Sequence, residues 1–147
     1  MRIISHRGNL EGPSPQSENK IETIEKCLNL GFDVEVDLWF MSGKFYLGHD
    51  YPENEIDYTF FKNEKIWFHL KNLDALENIE NVQPKNFFWH QEDKCTITSS
   101  GKFWLFPGNF IDSQNAIYVL PEKHKNKSSI ETHKYFGVCT DYVYKYM

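Results

Sequence analysis

The stretch FDVEVDLWF, residues 32–40, constrains the fold more than any other part of the chain. Val34, Val36 and Leu38 alternate with Glu35 and Asp37. A period of two belongs to a β-strand, whose successive side chains leave opposite faces. One face is apolar and must be covered; the other carries two neighbouring carboxylates. Burying such a pair without partners costs several kcal/mol. Any fold that takes in this strand must therefore bring cationic, hydrogen-bonding or metal partners to its acidic face. MSGK makes a turn and KFYLGHD (44–50) runs back. Residues 33–48 thus read as a hairpin or a strand with a folded-back extension.

Other segments fall into place around it. RIISHRG (2–8) reads as a strand ending in His6 and Arg7, followed by the loop NLEGPSPQS (9–17). Ser17 opens a helix in which Ile21, Ile24, Cys27, Leu28 and Leu30 recur at helical spacing, with Gly31 as its stop. KIWFHLK (65–71), KNFFWHQ (85–91), AIYVLPE (116–122) and GVCTDYV (137–143) read as strands, and CTITSSGKFWLFPG (95–108) as two short ones. NLDALENIEN (72–81) predicts a helix with Leu73, Leu76 and Ile79 on one face, and 123–136 a loop with a short helix. Strands alternating with helices or helix-length links predict an α/β fold with a parallel sheet. At 147 residues the chain is too short for the ~250 of a complete eight-unit barrel. The expected fold is a single-domain, reduced or incomplete (βα) TIM-type barrel.

In such a barrel the strand C-termini gather at one mouth. His6 and Arg7, Glu35 and Asp37, His49 and Asp50, His69 and Lys71, His90, and Asp141 all fall at or near those ends. The formal net charge is −5 with no basic tract, which argues against a nucleic-acid partner. No apolar run approaches the ~18–20 residues that cross a bilayer. His6, Arg7 and Asn9 interrupt any signal-peptide pattern, so no membrane insertion and a cytoplasmic location are expected. The three cysteines lack CxxC spacing and predict idle thiols.

Taken in order, SHRG, SEN, EVDL and SGKFYLGHD across residues 5–50 resemble the opening of the glycerophosphodiester phosphodiesterase family. That family lies in the phospholipase C-like phosphodiesterase superfamily. GVCTDY is similar to the family's closing strand, and the chain resembles a short, minimal member. The resemblance implies metal-dependent hydrolysis of a small phosphodiester, with His6 and His49 as acid and base, since imidazole transfers protons near neutral pH. Arg7 and Lys71 would bind the phosphate. Glu35 and Asp37 would hold a divalent cation, Mg²⁺ or Ca²⁺ by the hardness of their oxygens. Where the family presents Glu-x-Lys on the third strand, this chain has His69-Leu70-Lys71; His69 as third ligand brings in Mn²⁺ and Zn²⁺. Glu18 and Asn19 are expected to support the helix start and the rim, and Asp50 to orient His49 or shape the loop. Asp141 sits at the close of the last strand, while His90 and Trp104 stand at the mouth. The family's insertion before the third strand is missing, so glycerol-specific recognition is not expected. The second reading left open is a catalytically decayed barrel that binds a phosphate-bearing ligand or partner.

Overall fold

The computed structural model describes residues 1–124 and 134–147; the short helix expected within 123–136 falls largely outside them. Ten strands form one curled, mixed sheet: β1 (Arg2–His6), β2 (Asp33–Met41), β3 (Lys44–Leu47), β4 (Asn54–Glu55), β5 (Ile66–Leu70), β6 (Asn86–Trp89), β7 (Cys95–Ile97), β8 (Phe103–Leu105), β9 (Ala116–Val119) and β10 (Gly137–Thr140). Among the described residues there are two α-helices, α1 (Ile21–Asn29) and α2 (Leu73–Asn78).

The expected (βα) TIM-type barrel is not what forms. A parallel ribbon does run β6-β5-β2-β1-β10-β9-β8. It curls into a half-barrel, and antiparallel strands extend it: β3 and β4 beyond β2, and β7 beside β8. The physical reason is visible in the links. Among the described residues, only 21–30 and 73–79 carry an apolar helical period long enough to cover a sheet face. Residues 51–64 instead form β4 and a 3₁₀ turn at Tyr58–Lys62. The Ser100-Gly101 and Pro107-Gly108 corners cut 98–115 into a hairpin and a loop, because neither pair sustains a helix.

The acidic-faced strand sits at the centre. Val34, Val36 and Leu38 join Ile66, Phe68 and Leu70 of β5 in a fully buried layer under α1 and α2. The opposite face of β5 sends Trp67 to the inner side, where it meets Ile4, Phe88, Trp104 and Ile117. Trp104 stacks on Phe88 at 4.3 Å. This apolar floor lies below the polar strand ends.

Helix α1 starts at Ile21 rather than at Ser17, whose carbonyl instead accepts the Thr23 hydroxyl at 2.6 Å. It ends as expected at Gly31: the Gly31 and Phe32 amides close on the Leu28 and Cys27 carbonyls at 3.0 and 3.1 Å. In α2, Ala75 is buried and Ile79, which follows the helix, is too, while Leu73 is 70% exposed. The predicted apolar face is rotated because Asn72 anchors the helix start. Its side chain accepts the Ala75 amide and also bonds the Phe40 backbone of β2. Among the described residues, no helix is long and apolar enough to cross a membrane.

Candidate active site

Four neighbouring parallel strands deliver the polar groups. Register places His6 of β1 beside Glu35 of β2, and Asp37 of β2 beside His69 of β5. Beyond β1 the chain turns through two left-handed residues, Arg7 (φ 55°) and Gly8 (φ 90°). Holding a non-glycine residue there costs about 1–2 kcal/mol. The turn lets the Arg7 amide reach Glu35, at 2.9 Å to its carbonyl and 3.3 Å to its carboxylate. It also swings the guanidinium Nε to 3.0 Å from Asp37, with a second nitrogen donating to Glu18 at 3.3 Å.

Asp37 is the hub, with no solvent exposure. Its Oδ2 accepts from the Asn19 side chain at 2.9 Å, and its amide donates back to the Asn19 side-chain oxygen at 2.9 Å. His49 Nδ1 lies 3.4 Å away, His69 Nδ1 3.2 Å and Lys71 Nζ 3.4 Å. Burial alone would raise the Asp37 pKa, but His49, His69, Arg7 and Lys71 together hold it well below the usual carboxylate range. Glu35 goes the other way: burial and the Asp37 charge push it up, and His6, Arg7 and His69 offset this only in part. Arg7 is held firmly cationic, because Asp37, Glu35 and Glu18 outweigh its burial.

His6 belongs to a second chain of contacts. Its Nδ1 is 2.7 Å from Asp141 Oδ1 at the end of β10, and its Nε2 is 4.0 Å from Glu35. Burial would raise Asp141, but the His6 bond and charge, with Asn9 and Lys123, bring it below the normal value. A depressed carboxylate adds stability above its unfolded pKa and loses it as pH falls through the folded one. Asp141→Asn is therefore expected to be less stable than wild type at pH values above the ordinary carboxylate range. The difference should shrink below about pH 4. Urea unfolding of both proteins across that range checks this.

His69 and the two carboxylates form a candidate metal set, with donor atoms all within 4.8 Å of one another. The residues fit a cation on an independent observation: Asp37 Oδ1 is buried and makes no hydrogen bond. His69 Nδ1, at 3.2 Å, and Lys71 Nζ, at 3.4 Å, lie beside it.

A cavity of about 510 Å³ opens over these groups, lined by His6, Arg7, Glu35, His49, His69 and Lys71, with Trp104 and Phe106 on its apolar side. A larger depression, about 590 Å³, lies between α1, β3 and β4. Its charged pair, Lys44 and Glu55, is mutually neutralised at 2.9 Å, and none of the converging groups above faces it.

The structure brings most of the sequence-predicted residues together, with some in changed places. Glu18 and Asn19 do not cap α1, whose N-cap is Lys20; they reach inward to Arg7 and Asp37. His49 lies on a half-open loop, its ring 44% exposed, and Asp50 is 82% exposed and 3.7 Å from it. His90 contributes its backbone carbonyl, 2.7 Å from His69 Nε2, while its own ring bonds the Asp93 carbonyl. Trp104 is floor rather than rim, at 4% exposure. Two residues escaped the sequence reading. Asn9 donates to both Glu18 and Asp141 at 2.9 Å. Glu122 accepts the Thr140 hydroxyl and the Asp141 amide, each at 2.9 Å, and so fixes the end of β10.

Gly48 sets the entry to the His49 loop. Its amide donates to the Asp37 carbonyl at 3.2 Å, and its carbonyl accepts the Trp39 indole N–H at 2.6 Å. A Cβ here would overlap the Tyr51 carbonyl oxygen. Gly48→Ala is expected to cost about 1–3 kcal/mol and to displace His49, which a urea midpoint and a turnover assay on one preparation would read. The sequence matches no protein-family model, no curated protein and no solved structure.

Proposed function

We propose that the chain is a metal-assisted phosphodiester hydrolase acting on a small phosphodiester. One observation carries the reading. Two histidines, His6 beside Asp141 and His49 beside Asp37, stand with Arg7, Lys71 and Glu35 on the wall of one cavity, with Asp37 buried behind them.

Glu35, Asp37 and His69 would hold the cation, which when bound supplies charge withdrawal from a phosphoryl oxygen. Arg7 and Lys71, which both line the cavity, take the non-bridging oxygens as fixed cations. Ionised Asp141 can only accept, so His6 donates from Nδ1 and keeps the Nε2 lone pair toward the cavity. His6 is then the base. It takes the proton of the attacking hydroxyl as the new O–P bond forms. His49, beside Asp37, gives its proton to the departing alkoxide as the old P–O bond breaks. The attacking hydroxyl is water, or a neighbouring hydroxyl of the substrate, which proximity favours and which yields a cyclic phosphate. The open, solvent-facing setting of His49 suits a group that must regain a proton each cycle.

The test is ³¹P NMR of a glycerol-type phosphodiester incubated with the protein and a divalent cation. The diester signal should disappear in favour of a monoester or a cyclic phosphate, and chelator should stop it. A diester that binds without conversion would overturn the hydrolase reading and point to the binding module instead.

A further inference from the structure

We propose that this site is built for an imidazole-accepting first-row ion, Zn²⁺ foremost with Mn²⁺ behind it, bound through His69 Nδ1 rather than for Mg²⁺ or Ca²⁺. The inference rests on the metal reading of Glu35, Asp37 and His69 given above.

His69 Nε2 lies 2.7 Å from the His90 carbonyl. A carbonyl only accepts, so Nε2 carries a proton. In the neutral ring Nδ1 therefore carries the lone pair, 3.2 Å from Asp37 Oδ1 and 3.8 Å from Glu35 Oε1. Three acceptors then converge with no proton among them. A proton or a cation between them satisfies that arrangement. Asp37 Oδ1, buried and without a hydrogen bond, favours the cation, because an Nδ1–H aimed at it would have paired it. The His69–Asp37 separation of 3.2 Å falls in the ~3.0–3.4 Å expected between neighbouring ligands of an ion with bonds of about 2.1 Å, and the Glu35 oxygen at 3.8 Å from Nδ1 lies somewhat outside it.

The surroundings hold the ring for this task. Phe88 stacks on it at 5.0 Å with an interplanar angle of 11°, and the His90 carbonyl fixes its tautomer. A metal-binding histidine characteristically donates its other N–H to such an acceptor. A nitrogen donor in place of a third carboxylate removes one negative charge and one hard oxygen. Both changes weaken Mg²⁺ and Ca²⁺ more than Zn²⁺.

Most sites bind Zn²⁺ more tightly than Mg²⁺, so the order of affinities alone decides nothing. The decisive reading is the nitrogen. Chelator-stripped protein would be titrated calorimetrically with Zn²⁺, Mn²⁺, Mg²⁺ and Ca²⁺, and the Mn²⁺ form examined by pulsed EPR for ¹⁴N coupling, beside His69→Glu. We expect one ion per chain and a ¹⁴N coupling in wild type. In His69→Glu the coupling should vanish and the Zn²⁺-to-Mg²⁺ affinity ratio should fall at least about tenfold, about 1.4 kcal/mol. Absence of ¹⁴N coupling, an unchanged ratio in His69→Glu, or no ion bound would overturn the inference, the last leaving His69 as an imidazolium counter-charge. If His69→Glu fails to fold, the wild-type spectrum decides alone. Nitrogen coupling without diester hydrolysis would keep this inference and remove the hydrolase reading; hydrolysis with Mg²⁺ and no nitrogen coupling would do the reverse.

Discussion

Asp37→Asn is expected to abolish turnover and to remove about 3–5 kcal/mol of stability, the usual consequence of deleting one partner from a buried ion cluster. Asp37 is the shared counter-charge for Arg7, Lys71, His49 and His69, at 3.0, 3.4, 3.4 and 3.2 Å. With that charge gone, two fixed cations face one another across a neutral amide. The new side-chain nitrogen would also meet donors, since Asn19 already donates to Oδ2 at 2.9 Å. A urea titration at neutral pH reads the stability change, and the cation affinity should fall with it. A variant as stable as wild type would mean that the cluster is held by its backbone and not by the carboxylate.

The second large effect is expected at His6. His6→Ala should lower kcat/KM by about 10²–10⁴, the range for loss of a proton-transfer group, and should remove the acidic limb of the pH–rate profile. Asp141→Asn touches the same ring from behind. It should give a smaller loss in kcat, because the base is still present but no longer held in one tautomer. A His6→Ala protein that retains the full profile would assign the base elsewhere. His6 is 88% shielded as a side chain, being 12% exposed, so circular dichroism of the variant belongs beside the kinetics.

Much of this site was legible because each part of it is local. A strand that alternates Val34, Val36 and Leu38 with Glu35 and Asp37 has only one way to present its carboxylates. His69 and Lys71, two apart on β5, share the inner face for the same reason. The strand ends then converge because parallel neighbours share a direction. The barrel was not legible. Whether a parallel ribbon closes depends on what the links between strands can bury, and the segments around Gly101 and Gly108 bury too little as helix. Asn9 and Glu122 were hidden for another reason. Asn9 meets Asp141 across 132 residues and Glu122 meets it across 19, and no spacing rule announces a buried hydrogen bond between segments so far apart. The role of the His90 backbone was equally hidden, since the sequence displays a ring and the fold uses a carbonyl.

Gly48 and Arg7 show how local strain serves the same end. Each marks a point where the chain leaves a strand and must aim a functional side chain back over the sheet. The left-handed Arg7 does so by bonding Glu35 through its amide while its guanidinium reaches Asp37. Such conformations persist where the surroundings over-determine them, and here Glu35, Asp37 and Glu18 all act on one residue.

The most direct test is hydrolysis of a small dialkyl phosphodiester, followed by ³¹P NMR, by wild type and by His49→Ala, each with Zn²⁺, Mn²⁺, Mg²⁺ or Ca²⁺ and with chelator. The half-exposed His49 loop makes this variant the least disturbing to the fold. Cation-dependent conversion of the diester by wild type, abolished by chelator and lowered at least about a hundredfold in folded His49→Ala, is the predicted result. Equal rates in the two proteins, or no conversion by folded wild type with any of the four ions, would contradict it.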